Sequence, residues 1–482
     1  MAIKGDDDGS VPHADDEETG MPNVMARDRR VIRKPPGARR GEASDVTRED
    51  ILRADDRRKV WATRAKGGRL RLLWLLIGPG VLVMLGENDG PSMVSYATTG
   101  ATYGIGFFIP FILLTFLMAF VVQEMTVRLG AATHRGHAQL IFERFGPFWG
   151  YFAMGDLVAG NLLTLVTEFI AIQAGGLYFG IPPWVSVACG VALVTASLAY
   201  RRYWTWERAV LALAAFNLLF IPAAFFAQPD GAALARAIAT WRPLPGGITI
   251  AFVTLVLANV GATVTPWMIF FQQSAVVDKG LTAADLAQGR LDTAIGAAVA
   301  AAAAIATVVA AAPLFANHID VTNFASGADF ATALRPVLGK AGATLFALGM
   351  IEAGSVAAMT ISTSSAYAMG ETVHSRHSLN LSFHQGGLFY AVAIVSTLAA
   401  AAIVLIPGAP LLALVLTVNV IATLLMAPAL LLLLLLVNDQ EIMGAYANGW
   451  LSNLAGGTIA VLIAIVGAIY GVITVFPGLL GN

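Results

Sequence analysis

The sequence predicts an all-α integral membrane protein made of two inverted five-helix repeats and one additional helix. Three observations predict it. Eleven apolar runs are long enough to cross a bilayer, the body of the chain is nearly free of charge, and the opening helix of each five-helix group carries a Gly/Pro interruption. The 482 residues are 57% hydrophobic and 13% charged, against roughly 25% charged in an average soluble domain. A soluble core of that composition would expose apolar surface it cannot cover. Residues 1–71 hold 17 of the 30 Lys+Arg and 14 of the 31 Asp+Glu. The formal net charge of −1 therefore averages a mixed-charge tail with an apolar body, and no nucleic-acid partner is expected. The single cysteine, Cys189, excludes a disulfide framework or a thiolate metal site within one chain.

Residues 1–71, with acidic clusters followed by Arg/Lys-rich stretches, read as a disordered charged tail. No apolar stretch near Met1 suggests a signal peptide, so the first hydrophobic segment reads as a retained span. Crossing a ~30 Å hydrocarbon core takes about 20 helical residues. Runs of that kind lie near 72–100, 105–127, 148–174, 181–200 and 207–226, the first repeat (72–226). After an outer loop at 227–247 come 248–276, 289–315, 342–370, 384–406 and 410–437, the second repeat (248–437). Residues 438–482 hold a loop and an eleventh helix at about 450–477. Arg71, Arg128, Arg135, Arg144, Arg201, Arg202 and Arg208 all fall on one side, which the positive-inside rule assigns to the cytoplasm. The amino terminus is expected inside and the carboxyl terminus outside a cell membrane.

The first interruption reads Gly86-Glu87-Asn88-Asp89-Gly90-Pro91-Ser92 and the second, on the sixth helix, Gly261-Ala262-Thr263-Val264-Thr265-Pro266. Paired interruptions at equivalent places are the sequence pointer to a transport site. Proline removes a backbone donor and glycine permits a turn, so each break frees carbonyls that in lipid must find another partner. The carboxyl end of each first half-helix adds partial negative charge. A cation satisfies both. Asp89, with Glu87 close by, adds a carboxylate that costs roughly 2.5–3.5 kcal/mol or more at mid-membrane. It is either an ion ligand or an acid bonded to freed amides of the break.

The residues here resemble a family. Gly78-Pro79-Gly80, Asp89, Gly100-Ala101, Gln123 and Arg128-Leu129-Gly130 are similar to the first two helices of the natural resistance-associated macrophage protein (Nramp) metal transporters. Gly261 to Pro266 resembles the family's GATVMPH, and Leu345-Phe346-Ala347-Leu348-Gly349 its eighth helix. The resemblance covers about residues 72–437 and implies a LeuT-like inverted 5+5 repeat and divalent-cation transport. Carried over by position, it implies metal ligands at Asp89, Ser92 and Thr265 and carbonyl ligands at Gly86 and Ala262. Glu87, Asn88, Trp267, Met268, Asn419, Asp156 and Glu168 are implied as neighbours or pathway residues.

Departures from the family sharpen the expectation. DPGN reads Asp89-Gly90-Pro91-Ser92, the methionine of MPH is Thr265 and its histidine is Trp267. Oxygen donors without a thioether suit magnesium and manganese better than soft metals, and the set resembles the family's magnesium-transporting branch. Thr265 serves either as ligand or as a helix cap, and Met268, one turn on, would restore a soft ligand by rotation. Trp267 cannot titrate and no Lys or Arg follows Arg376, so half of a proton relay is missing, although Asp156 and Glu168 remain on the third helix. His134, His137, His374, His377 and His384 read as ordinary surface histidines.

The expected function is magnesium transport by alternating access, uncoupled from protons or weakly coupled, by a monomer with no resident cofactor. The rivals are a proton-coupled manganese or transition-metal carrier, a sodium-coupled carrier of organic substrates on the same fold, and a cation-binding receptor. No nucleophile–base pair or phosphate-binding loop suggests an enzyme.

Overall fold

The computed structural model describes residues 48–241, 249–321, 324, 327–407 and 411–475, all within the compact unit Arg48–Asn482. Every regular element among them is helical. Helices α1 (Arg48–Ala65) and α2 (Arg69–Leu76) come first, and the first span continues through α3 (Pro79–Glu87) and α4 (Gly90–Tyr103). Span 2 is α5 (Phe108–Thr133); a short α6 (His137–Phe145) leads into span 3, α7 (Pro147–Tyr178). Span 4 is α8 (Pro183–Leu198). Span 5 joins α9 (Tyr203–Ala214), a 3₁₀ turn (Ala215–Leu219) and α10 (Phe220–Phe225). After α11 (Gly231–Thr240), span 6 consists of α12 (Ile250–Gly261) and α13 (Pro266–Lys279). Spans 7 to 10 are α14 (Leu286–Ala316), α15 (Gly327–Thr372), α16 (Gly387–Val404) and α17 (Leu411–Asn438). A short α18 (Gln440–Met443) precedes span 11, α19 (Trp450–Val475).

Among the described residues nine spans are long and apolar enough to cross a bilayer as they stand. Span 4 has 16 residues, about 24 Å at 1.5 Å per residue, and α2 with α3 qualifies as a bent pair. Large apolar side chains such as Leu117, Phe148, Trp184, Val395, Leu431 and Trp450 stand exposed around the outside, as a lipid-facing surface requires. Span 3 lies along span 8, and span 7 packs on both halves of span 1. Small residues allow that approach: a Cβ on Gly80 would come within 2.5 Å of the Thr293 backbone nitrogen, the close backbone contact typical of membrane helix pairs.

Two features differ from the sequence reading. Gly78-Pro79-Gly80, expected to open a span, instead follows α2 at a 55° bend. The amides exposed there are satisfied by Asp292 of span 7, which accepts from Gly78 N (3.0 Å), Gly80 N (2.7 Å) and Val81 N (3.2 Å). Residues 48–65, expected within the disordered tail, form α1, while residues 1–47 lie outside the described residues. Ion pairs that composition cannot reveal hold α1 down: Arg53 with Asp278 at 3.2 Å, Asp56 with Arg202 at 2.6 Å, and Arg64 with Asp285. The expected 227–247 loop contains α11, and its residues 242–247 lie outside the described residues.

Candidate metal site at the two broken helices

Span 1 loses its helix at Asn88 and restarts at Asp89, whose carboxylate accepts from Ser92 N at 2.8 Å and so caps α4. The chain breaks there because Pro91 has no N–H and Gly90 gives its own amide away, to Glu168 Oε2 at 3.0 Å. In a continuous helix that amide would bond the Gly86 carbonyl, which is thereby released. Span 6 breaks by the same logic. The residue four beyond Ala262 is Pro266, so the Ala262 carbonyl has no helical donor. It accepts instead from the Tyr96 hydroxyl of span 1 at 2.8 Å. Both carbonyls named from the sequence are thus freed by their own breaks.

Thr265 opens α13, yet its side chain makes no capping bond. Its hydroxyl donates to Glu87 Oε2 at 2.8 Å, which ties the second break directly to the first. The cap reading of Thr265 is therefore set aside. Glu87, Asp89 and Glu168 are all buried. Their hydrogen-bond donors are neutral, Thr265 to Glu87, Ser92 N to Asp89 and Gly90 N to Glu168. Glu87 Oε1 and Glu168 Oε1 lack a hydrogen-bond partner. Asp89 caps α4 and Glu168 Oε2 accepts from Gly90 N, the next residue, so two buried acids flank one break, an arrangement in which both stay charged only with a cation beside them. Among the described residues no three His, Cys, Asp or Glu side chains converge on one point as a ready chelate. An ion here would draw on mixed donors, carbonyls and hydroxyls beside carboxylate.

The remaining expected residues divide. Ser92 is buried beside Asp89, and the Trp267 ring backs Gly86, whose Cβ would lie 3.2 Å from it. Met268 belongs to the apolar core. Asn419 donates to Ser95 Oγ at 2.9 Å, and its backbone oxygen would meet a Cβ on Gly261 at 1.9 Å, so span 10 closes on the second break through a helix–helix contact. Asn88 turns to the neighbouring spans, donating to Asn217 Oδ1 (3.0 Å) and the Ala300 carbonyl (2.8 Å). Asp156, half-buried, lines a crevice shared with Thr265 and Trp267. It is 12 residues from Glu168 on the same helix, about 18 Å, so the two acids cannot exchange a proton directly. Sequence reasoning missed Tyr96, Asn217 and Glu352. Asn217, in the 3₁₀ turn of span 5, stands 3.4 Å from the buried Glu352 of span 8. A buried acid in a span was the available signal for Glu352.

His137 corrects the surface-histidine expectation. It is buried, with Nδ1 2.9 Å from Gln273 Oε1 and its ring edge-on to Phe270 at 4.7 Å. The imidazole of α6 is held near neutrality because burial disfavours the cation, and its pKa falls to about 4. His134, His374 and His384 are exposed as expected. Because the folded pKa lies below the unfolded value of about 6.5, the unfolded chain takes up this proton first as pH falls. Stability supplied by neutral His137 is therefore complete above about pH 6.5 and lost progressively down to about pH 4, by up to about 3 kcal/mol. Thermal unfolding in detergent across that range is expected to flatten in His137→Gln; an unchanged slope would show that other groups carry it.

Residues 80–474 match the sequence model of the family described as Natural resistance-associated macrophage protein-like. The chain is 29% identical over 292 residues, 58% of its length and 68% of the relative's, to a protein named divalent metal cation transporter MntH from Pectobacterium carotovorum subsp. carotovorum (strain PC1). A protein of the same name from Erwinia tasmaniensis is 28% identical over 297 residues, 59% of this chain and 69% of that one. Among solved structures, a manganese transporter of Eremococcus coleocola superposes with a TM-score of 0.67 at 21% identity, covering 83% of this chain and 87% of that one. MhsT in complex with L-phenylalanine gives 0.55 at 13% identity over 82% and 97%. The fold is the LeuT-like arrangement expected from the paired breaks, and the match across nearly the whole membrane body establishes that the chain belongs to the Nramp family.

Proposed function

We propose that this chain carries a hard divalent metal ion across the membrane by alternating access, with manganese the first candidate, and that the ion displaces from Asp89 a proton that crosses in the same direction. The observation that carries this reading is the convergence of two buried acids on the first break, where Glu168 accepts from Gly90 N at 3.0 Å next to Asp89. A proton held by this pair of acids leaves when a divalent cation takes Asp89, so metal entry and proton movement are linked by charge alone. Magnesium was the expected ion because no thioether faces the breaks, but manganese accepts the same oxygen donors, so that absence does not separate the two. The relatives are named for divalent metal cations and the superposed structure for manganese, which makes manganese the first ion to test. The absent ninth-helix bases and Trp267 argued against coupling, yet a proton carried by the Asp89 and Glu168 pair needs neither. The transporter works as a monomer in the cell membrane with its basic face toward the cytoplasm.

Proteoliposomes report both halves of the reading. Manganese uptake accompanied by lumenal acidification is expected, and Glu168→Gln is expected to keep metal flux while losing the proton signal. Magnesium uptake without acidification, and no manganese uptake, would overturn the proposal in favour of an uncoupled magnesium carrier. Binding without flux would identify a receptor.

A further inference from the structure

We propose that the basic face carries a binding site for the phosphate headgroup of an anionic phospholipid, and that the bound lipid clamps α1 to the membrane body. A cavity of about 390 Å³ is lined by Lys59 of α1, Leu75 of α2, and Arg202, Trp204, Thr205 and Arg208 at the start of span 5. Its charge is unbalanced. Asp56 pairs with both Arg202 (2.6 Å) and Lys59 (3.3 Å), while Arg208 lies over the Trp204 ring at 5.9 Å and has no carboxylate partner among the described residues. Three cations thus face one anion, a deficit that a singly charged phosphodiester reduces and a phosphomonoester fills.

The setting selects lipid over a soluble phosphate. Arg202 and Arg208 lie beside and within the first two turns of a membrane span, where headgroups sit. Helix α2, which lines the cavity with Leu75, also holds Leu70 and Trp74, 81% and 75% exposed and one turn apart on one face, an apolar surface for acyl chains. Orienting the chain requires positive charge on this side but not a cavity that gathers it from two separate helices. A headgroup bridging Lys59 to Arg202 and Arg208 would join α1 to span 5, adding to the pairs that α1 already makes with Asp278 and Asp285.

The test places the full chain in nanodiscs of phosphatidylcholine with or without phosphatidylglycerol. Amide hydrogen exchange over residues 48–65 is expected to slow when phosphatidylglycerol is present, and native mass spectrometry to find phosphatidylglycerol retained over phosphatidylcholine. Each cation near an anionic surface contributes about five-fold in affinity. Arg208→Gln, at an exposed position, is expected to lower retention about five-fold and Lys59→Gln/Arg208→Gln about twenty-five-fold, with exchange elsewhere unchanged. Equal retention of the two lipids, or no loss in Arg208→Gln, would overturn the site. Equal protection of α1 by glycerol 3-phosphate added to phosphatidylcholine discs would overturn the lipid as its ligand.

Discussion

Asp89→Asn is expected to leave the protein folded and to reduce metal uptake by proteoliposomes at least about 30-fold, up to several thousand-fold. The range follows from the 2–5 kcal/mol lost when one partner of a buried charge contact is removed. The structure gives Asp89 one task and the proposed function a second, and the choice of substitution separates them. Its carboxylate caps α4 through Ser92 N, a contact asparagine reproduces about as well as aspartate and alanine does not. Its charge is what a divalent ion needs, and asparagine lacks it. Asp89→Ala should therefore lose transport and also roughly 0.5–2 kcal/mol of stability, whereas Asp89→Asn should lose transport alone. Calorimetric titration with manganese on both variants distinguishes them from a helix that has merely frayed. Wild-type uptake by Asp89→Asn would mean that the carboxylate is only a cap, the structural alternative already open from the sequence.

The breaks and their freed carbonyls were legible because their causes are local. Pro266 stands four residues after Ala262 and Pro91 two after Asp89, and each removes a donor whatever the rest of the chain does. What closes the site was not legible. Glu168 reaches Gly90 across 78 positions, Thr265 reaches Glu87 across 178, and Asn88 reaches Asn217 across 129. No periodicity records which of several buried polar groups meets which. The same holds for α1, whose charged composition suits a disordered tail and whose order depends on acids more than 200 residues away. His137 was misjudged for a related reason: α6 is short and bears charges, but its buried face packs on span 6.

Lys279→Met is expected to destabilise the protein by about 3–5 kcal/mol, the cost of stranding one member of a buried ion pair. Lys279 ends α13, with its side chain fully buried, and donates to Glu207 Oε2 at 2.7 Å and to the Ile77 carbonyl at 2.9 Å. That carbonyl belongs to the 55° bend at the foot of span 1, where helix α2 stops. Lys279 therefore does for the bend what an ion would do at the deeper breaks, supplying positive charge to a freed carbonyl. Removing it leaves Glu207 without its cation, close to Asp292 of span 7. Because the penalty comes from the orphaned acid, Lys279→Met/Glu207→Gln should recover most of the loss, and a double-mutant cycle of unfolding in detergent measures that recovery. A double variant no more stable than the single one would instead place the cost in the Ile77 contact. The distinction bears on transport as well. Spans 1 and 6 are joined at mid-membrane by Thr265 and Glu87 and at the basic face by Lys279, so opening toward that face has to break the second tie. If Lys279 is the closing element, the double variant should regain stability yet leave the basic end of span 1 more accessible to thiol reagents at an introduced cysteine than in the parent protein.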